Sequence, residues 1–372
     1  MTTLDSSLKT PLFDLHRAND AKIVPFAGYQ MPVHYAPGII KEHQHTRHHA
    51  SLFDVSHMGQ IKISGDNIAA KLETLIPVDL VGLQPWRQKY GLLLNQRGGI
   101  LDDLMVMHCN THFLLVVNAA CKQQDYQHLS DELGAQLDLQ LLQDRALIAL
   151  QGPEAVKVLT EAGADVAQMR FMDVAEIDLF GFGCTISRSG YTGEDGFEIS
   201  IAASNSVAVT ENLLAHDSVA LAGLGARDSL RMEAGLCLYG QDLNIDTTPV
   251  EANLLWALSA ARRKGGERSG NFPGADIVLE QIENGADRKL VGLLPEGRAP
   301  MRAGTPLFDQ DQNNIGMITS GGFSPTLGRP ISMGYISSEF ARAGTRLTAE
   351  VRGKMLPLSV AKLPFVPNQY AR

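Results

Sequence analysis

Between residues 288 and 366, six short runs of strand-forming residues follow one another: "RKLVGLLP", "GTPLFD", "IGMITSGGFSP", "ISMGYIS", "TRLTAEV" and "LPLSVAKLPFV". Each is closed by Gly, Pro, Asn or Asp. Short strands at this regular spacing predict a small all-β barrel or sandwich for the last part of the chain. Upstream the pattern changes. "KYGLLLNQRGGILDDLMVMH" reads as two strands around a Gly-rich turn, with "THFLLVVNAA" as a third. "ALIALQGPEAVKVLTEAG" reads as a strand and then a helix with Pro153 in its first turn, and "SNSVAVTENLLAHD" and "GARDSLRMEAGL" read as helices. "PLFDLHRA", behind a capping Thr10, and "DNIAAKLETLI", behind a capping Asp66, add two more. Strands and helices alternating with several hairpins predict an α+β fold with largely antiparallel sheets. The Gly-rich, charged stretch 261–276 is read as a linker or surface loop.

A chain of 372 residues suggests two or three domains and enough material for a deep cavity between them. With 32 Lys and Arg against 41 Asp and Glu, the net charge of −9 argues against a general nucleic-acid or anionic-membrane surface. No run approaches the ~20 apolar residues of a membrane span. The first twenty residues lack the layout of a signal or transit peptide, so a cytoplasmic protein is expected, although a mature organelle protein with its presequence removed would read the same. Cys109, Cys121, Cys184 and Cys237 form no CxxC pair and are expected to be reduced. The histidines His43, His45, His48, His49 and His57 match no metal-ligand spacing. No metal is expected, and they are read as a polar helix face followed by a turn into the core.

Three places carry polar residues where apolar ones would be ordinary. The first is "RSGYTGEDGFEIS", residues 188–200, a long Gly-rich hairpin loop entering a strand. Period two puts Phe197, Ile199 and Ile201 on one face and Glu198 and Ser200 on the other. On this segment alone Glu198 belongs to a solvated face. The second is the pair Asp102 and Asp103 in "ILDDLMVMH". Alternation sends them to opposite faces, both apolar, so at least one carboxyl is desolvated and a candidate general acid or base; a place in the turn after "RGG" is the plain alternative. The third is Arg227 in "GLGARDS", a cation in the first turn of a helix, where the dipole disfavours it unless an anion or ligand is near. The G-x-G there lacks its third glycine and a parallel βαβ unit, which weakens a nucleotide reading.

The blocks "PFAGYQMPVHY", "SLFDVSHMG", "GGILDDLMV", "LQGPEA", "SGYTGEDGFEIS", "LGARDSLRMEAGLCLYGQDL", "TSGGFSPTLGRPISMGYI" and "LPFVPNQY" run in order from Thr10 to Tyr370. Together they resemble the T-proteins of the glycine cleavage system, the folate-dependent aminomethyltransferases. The resemblance implies a three-lobed cloverleaf around a central folate site: residues 1–275 as the folate-binding α+β region, with 52–145 inserted between 1–51 and 146–275, and residues 276–372 as the C-terminal β-barrel. It also implies the reaction, in which tetrahydrofolate takes the methylene of an aminomethyl group from the lipoyl arm of H-protein, leaving ammonia and the reduced arm. By the same resemblance Asp103 is the essential aspartate near the reacting folate nitrogens, Glu198 the pterin-binding glutamate and Arg227 the binding arginine. Tyr370 matches the C-terminal substrate-site tyrosine, and Met58, Tyr90 and Asn118 match positions lining the folate cavity.

The basic run Arg262, Arg263, Lys264 and Arg268 would steer the acidic carrier or bind a polyglutamate tail. Two relatives and a bland reading compete. The cysteine motif of the folate-binding relative that serves iron–sulfur assembly is absent. The folate modules of dimethylglycine and sarcosine dehydrogenases are fused to a flavin domain, and no Rossmann unit is visible. A non-enzymatic folate binder would not need Asp103 beside Glu198 and Arg227.

Overall fold

The computed structural model describes residues 7–372. The first six, part of the stretch read for targeting signals, lie outside the described residues. A six-stranded sheet runs in the order Val174–Leu179, Phe182–Ser187, Gly196–Ala202, Arg145–Gln151, Ala50–Asp54 and Val219–Leu221, antiparallel except for its last pair. One face buries Phe197, Ile199 and Ile201 with Ile148 and Leu150 beneath the helices Ala155–Glu161 and Ser206–Leu214. The other face carries Leu147, Ala149 and Phe53, packed against Met107, Leu114 and Val116 of a second sheet and Ala226 and Leu230 of the helix Leu224–Glu233.

The second sheet has five strands in the order Arg87–Leu94, Ile100–Cys109, His112–Val117, Gly59–Ser64 and Asp138–Leu141. Its far side is covered by the helices Ile68–Leu72 and Lys122–Leu133. A third, three-stranded sheet joins Leu8–Lys9, Tyr29–His34 and Lys22–Phe26. The six C-terminal runs all become strands, from Arg288–Pro295 to Lys354–Ala361, and close into a barrel around Leu293, Ile318, Ile336 and Leu358. The fold is thus α+β with largely antiparallel sheets and a C-terminal barrel, as the pattern indicates.

Local expectations fail where a distant partner competes. Thr10 caps nothing; its hydroxyl donates to Asp54, 44 residues away (2.6 Å), and the helix begins at Phe13. The helix Ile68–Leu72 starts from Asn67 in the left-handed region (φ 55°) with no side-chain cap, so Asp66 does not serve it. The stretch 261–276 is not a free linker: Arg262 is 2 % exposed and ion-paired to Glu73 at 3.1 Å. Arg263 donates to the carbonyls of Leu255 and Leu258, and Arg268 pairs with Glu73 (2.9 Å) and Asp79 (2.5 Å). Three cations of the basic run are therefore spent inside the fold, and Lys264, which reaches Glu283 at 2.6 Å, is the one that extends into solvent. This corrects the view of the run as a steering patch, because Glu73 and Asp79 supply its countercharge.

The histidine-rich segment is likewise more than a polar face. It forms the helix Ile39–His48, but His43 is fully buried, bonded to Ser229 (2.7 Å) and 3.2 Å from Glu233. All four cysteines are free and buried. Among the described residues no helix is long and apolar enough to cross a membrane, and no three His, Cys, Asp or Glu side chains gather as a metal site.

Candidate active site

The two facing sheet surfaces bring the sequence-singled residues together. Glu198 lies on the strand Gly196–Ala202, opposite Ala149 and Ser187, and points away from the core of Phe197 and Ile199. That face is covered by the second sheet and the helix 224–233, so the carboxylate is not on an open surface. Asp103 faces it from the second sheet, next to Leu92 in register, while Asp102 turns under the helix Lys122–Leu133 and is fully buried. Both aspartates sit within the strand Ile100–Cys109, not in the preceding turn.

Asp103, Glu198, Arg227, Tyr90 and Tyr191 each keep partial exposure although each is crowded by the surrounding chain, the pattern expected of residues at a recess between the sheets. A shallow surface recess of about 550 Å³ beside Asp79, Lys264 and Arg268 includes none of them.

The helix carrying Arg227 begins at Gly223, where a side chain would meet Val33 backbone at 2.5 Å. Glu42, buried, accepts from the Gly223 amide (2.9 Å) and from Tyr35 (2.6 Å). A carboxylate at the helix start therefore offsets the dipole that an arginine alone would oppose. The Arg227 guanidinium stands 4.7 Å over the Tyr191 ring, and its Nη1 is buried with no hydrogen-bond partner. Glu198 lies close enough to feel that charge, but among the described residues it forms no ion pair within 4 Å, and its single bond is a long one, 3.4 Å, from Ser189. Burial pushes the Glu198 carboxyl up, with Arg227 opposing. A desolvated cation and a desolvated carboxylate, each short of partners, are costly for folding alone and make this a candidate ligand site.

Asp103 is bonded on both oxygens, by Tyr90 Oη (3.0 Å) and Asn118 Nδ2 (2.8 Å). Burial and the neighbouring Asp102 nevertheless push its carboxyl up to about 7. At neutral pH it is poised to hold or release a proton. The two aspartates are not independent, as alternation suggests: Asn118 also donates to Asp102, so one amide joins them. Met58 packs with Met105 in the cluster that contains Ala226, beside Arg227.

Tyr370 is not brought into contact with Asp103, Glu198 or Arg227. Its ring stacks on Phe171 at 4.2 Å, near Arg47 and Glu194. The tail that carries it holds the hairpin loop through Gln369 N to Gly193 O (2.8 Å), where Gly193 has φ +78°.

Sequence reasoning gave three residues no place in the site. Tyr191, inside the quoted hairpin, bonds Cys237 O and links Arg227 to the Asp103 side. Trp256, 61 % exposed, lies 5.0 Å from the Tyr90 ring. His57 is buried with Nδ1 unpartnered. Burial pushes it down to about 4, Asp54 opposes, and the Arg227 and Lys122 cations push the same way as burial. Tyr191 carried a signal, an aromatic among turn residues; His57 stands among the histidines weighed as metal ligands, and Trp256 carried no signal.

Two family models cover most of the chain: the GCVT N-terminal domain matches residues 12–262, and the glycine cleavage T-protein C-terminal barrel domain matches residues 288–367. The mitochondrial aminomethyltransferase of Homo sapiens is 44% identical over 371 residues, covering 97% of this chain and 91% of that protein. The mitochondrial aminomethyltransferase of Dictyostelium discoideum is 41% identical over 382 residues, covering 98% and 94%. The crystal structure of glycine cleavage system aminomethyltransferase T from Bartonella henselae superposes with a TM-score of 0.93 at 43% identity, covering 99% of this chain and 100% of that one. On two matched domains and full-length similarity, the chain belongs to the glycine cleavage T-protein family, the aminomethyltransferases of the glycine cleavage system.

Proposed function

We propose that this aminomethyltransferase binds tetrahydrofolate in the recess between the two sheets. It transfers to it the methylene of an aminomethyl group presented on the lipoyl arm of an H-protein, releasing ammonia. The observation that carries the reading is the deep pair Glu198 and Arg227, neither with a satisfying partner of its own. A reduced pterin offers adjacent N–H donors to a carboxylate and a carbonyl to a guanidinium, so the chemistry of the donor set fits. Tetrahydrofolate supplies, when bound, the nucleophilic nitrogen that accepts the one-carbon unit.

The protein's own residues do the rest. Glu198 and Arg227 orient the heterocycle. Asp103, held by Tyr90 and Asn118, holds or moves a proton at the acceptor nitrogen and stabilises positive charge developing there. Met58 and Asn118 line the recess, and Trp256 over Tyr90 helps keep water from the reacting atoms. Tyr370 acts from the tail that fixes the hairpin loop. The inserted lobe that contributes Asp103 runs between the strands Ala50–Asp54 and Arg145–Gln151, so it begins after Asp54 and not at residue 52. Incubation with tetrahydrofolate and aminomethyl-loaded H-protein tests this reading: ammonia and methylenetetrahydrofolate must appear together, and their absence would sink it.

Glu198→Gln should weaken tetrahydrofolate binding by about 1–3 kcal/mol, because a charge-assisted two-point contact becomes a weaker amide one. Equilibrium titration measures it. An unchanged folate Kd would mean that the carboxylate is no part of the pterin site.

A further inference from the structure

Asp102 has no part in the mechanism above, since it is fully buried and faces the core under the helix Lys122–Leu133. Both of its oxygens are nevertheless taken by one residue of the site. The backbone N–H of Asn118 donates to Oδ2 at 2.9 Å, and the side-chain amide of Asn118 donates to Oδ1 at 2.9 Å. That same amide nitrogen reaches Asp103 Oδ1 at 2.8 Å and the Asp103 carbonyl at 3.1 Å. An amide nitrogen has two protons, so the one committed to Asp102 dictates where the other points.

The sheet register explains the arrangement. Met105 pairs with Val116, and continued by two residues that register would set Asn118 opposite Asp103. The strand His112–Val117 stops short, because the chain turns into a helix whose first amides, Cys121 and Lys122, donate to the Asn118 carbonyl. The Asn118 side chain thus stands in for the missing ladder donor at the Asp103 carbonyl, and Asp102 locks it there. Behind Asp102 lies Asp125, 1 % exposed in the first turn of that helix. Burial and Asp102 push the Asp125 carboxyl up to about 10, so Asp125 holds a proton at neutral pH; burial raises the Asp102 carboxyl as well, with the hydrogen bonds from Asp125 and Asn118 opposing.

We propose that Asp102 is a positioning residue of the one-carbon transfer: through the Asn118 amide it holds the Asp103 carboxyl toward the recess. The inference rests on Asp103 being the reacting group of the proposed function. The titratable groups around Asp103 are the hydroxyls of Tyr90, Tyr191 and Tyr239, the thiols of Cys121 and Cys237, the carboxyls of Asp102 and Asp125, and Glu198 and Arg227 across the facing sheet. The hydroxyls and thiols are all pushed up and stay neutral, and Asp125 holds its proton; among these groups Asp102 is the one whose charge raises Asp103.

The test compares Asp102→Asn and Asn118→Ala with the wild type in single turnovers across pH, at saturating tetrahydrofolate and with aminomethyl-loaded H-protein. Asp102→Asn should lower the rate about tenfold, the scale of one charge-assisted hydrogen bond lost at the transition state, with folate Kd within about twofold. Its acidic limb should move to lower pH, because the neighbouring carboxyl that raises Asp103 is gone. Asn118→Ala removes a donor to the ionised Asp103, so its limb should move to higher pH. It also leaves Asp102 in the core, which keeps the test open if Asp102→Asn does not fold. A merely structural Asp102 would lower the melting temperature alone. Wild-type rates and limb positions in the variants, with transfer intact in the wild type, would overturn the inference and spare the function. A wild type without transfer would sink both.

Discussion

Asp103→Asn should cut the single-turnover rate of one-carbon transfer by roughly 10²-fold or more, the scale of losing a placed acid/base or charge-stabilising group, while folate still binds. The substitution keeps the shape and one acceptor. It turns an NH₂ group toward either Tyr90 Oη or Asn118 Nδ2, which both donate to the native carboxylate. Glu198 and Arg227 are untouched, so folate affinity has no reason to fall far. The pH profile separates charge from shape. Because the Asp103 carboxyl is pushed up to about 7, the wild type should lose rate as pH falls through neutrality and the group takes up its proton. The Asn variant has no such group, so its residual rate should lack that limb. A near-wild-type rate, or a limb unchanged in the variant, would show that another residue titrates and that Asp103 does not act at the reacting nitrogen.

The sequence stated some of this and hid the rest for physical reasons. Barrel strands are bounded by their own turn residues, so six runs could be read one at a time, and all six appear. Period two placed Glu198 on the face opposite Phe197, and it is there. What covers that face is Met107, Leu114 and Val116 from strands about 90 residues earlier, which no local pattern records. For the same reason the solvated reading of Glu198 was the ordinary one and the wrong one. Arg262 looked like surface charge because its partner Glu73 lies 189 residues away. Asn118 shows the limit most clearly. Alternation separates Asp102 from Asp103, but the strand beside them ends early, and a side chain from past its end reaches both.

The second large effect concerns the joint between lobes. Glu233 is fully buried at the end of the helix that carries Arg227, and its carboxylate collects donors from two elements. Arg47 Nη2 reaches it at 2.7 Å from the helix Ile39–His48, with His43 at 3.2 Å. Ser324 Oγ (2.5 Å), Thr326 N (3.0 Å) and Thr326 Oγ1 (2.6 Å) reach it from the barrel. These bonds outweigh the cost of burial and hold its carboxyl down, to about 2.

Glu233→Gln keeps the shape but leaves Arg47, itself nearly buried, with Glu194 as its remaining charged partner, and it turns an NH₂ group toward donors. Breaking a buried pair in this way should cost about 3–5 kcal/mol. The sign follows from the depressed pKa: the ionised group stabilises the fold fully above its ordinary value of 4.5 and progressively less as pH falls toward 2. The gap in unfolding midpoint between wild type and variant should therefore be level from neutrality down to about pH 4.5 and close below it. Urea or thermal midpoints measured at matched scan conditions across that range decide the matter. A gap that is absent at neutral pH, or that widens on acidification, would mean that the barrel is held to the helix by the apolar contacts of Met232 and Gly322 and not by this carboxylate.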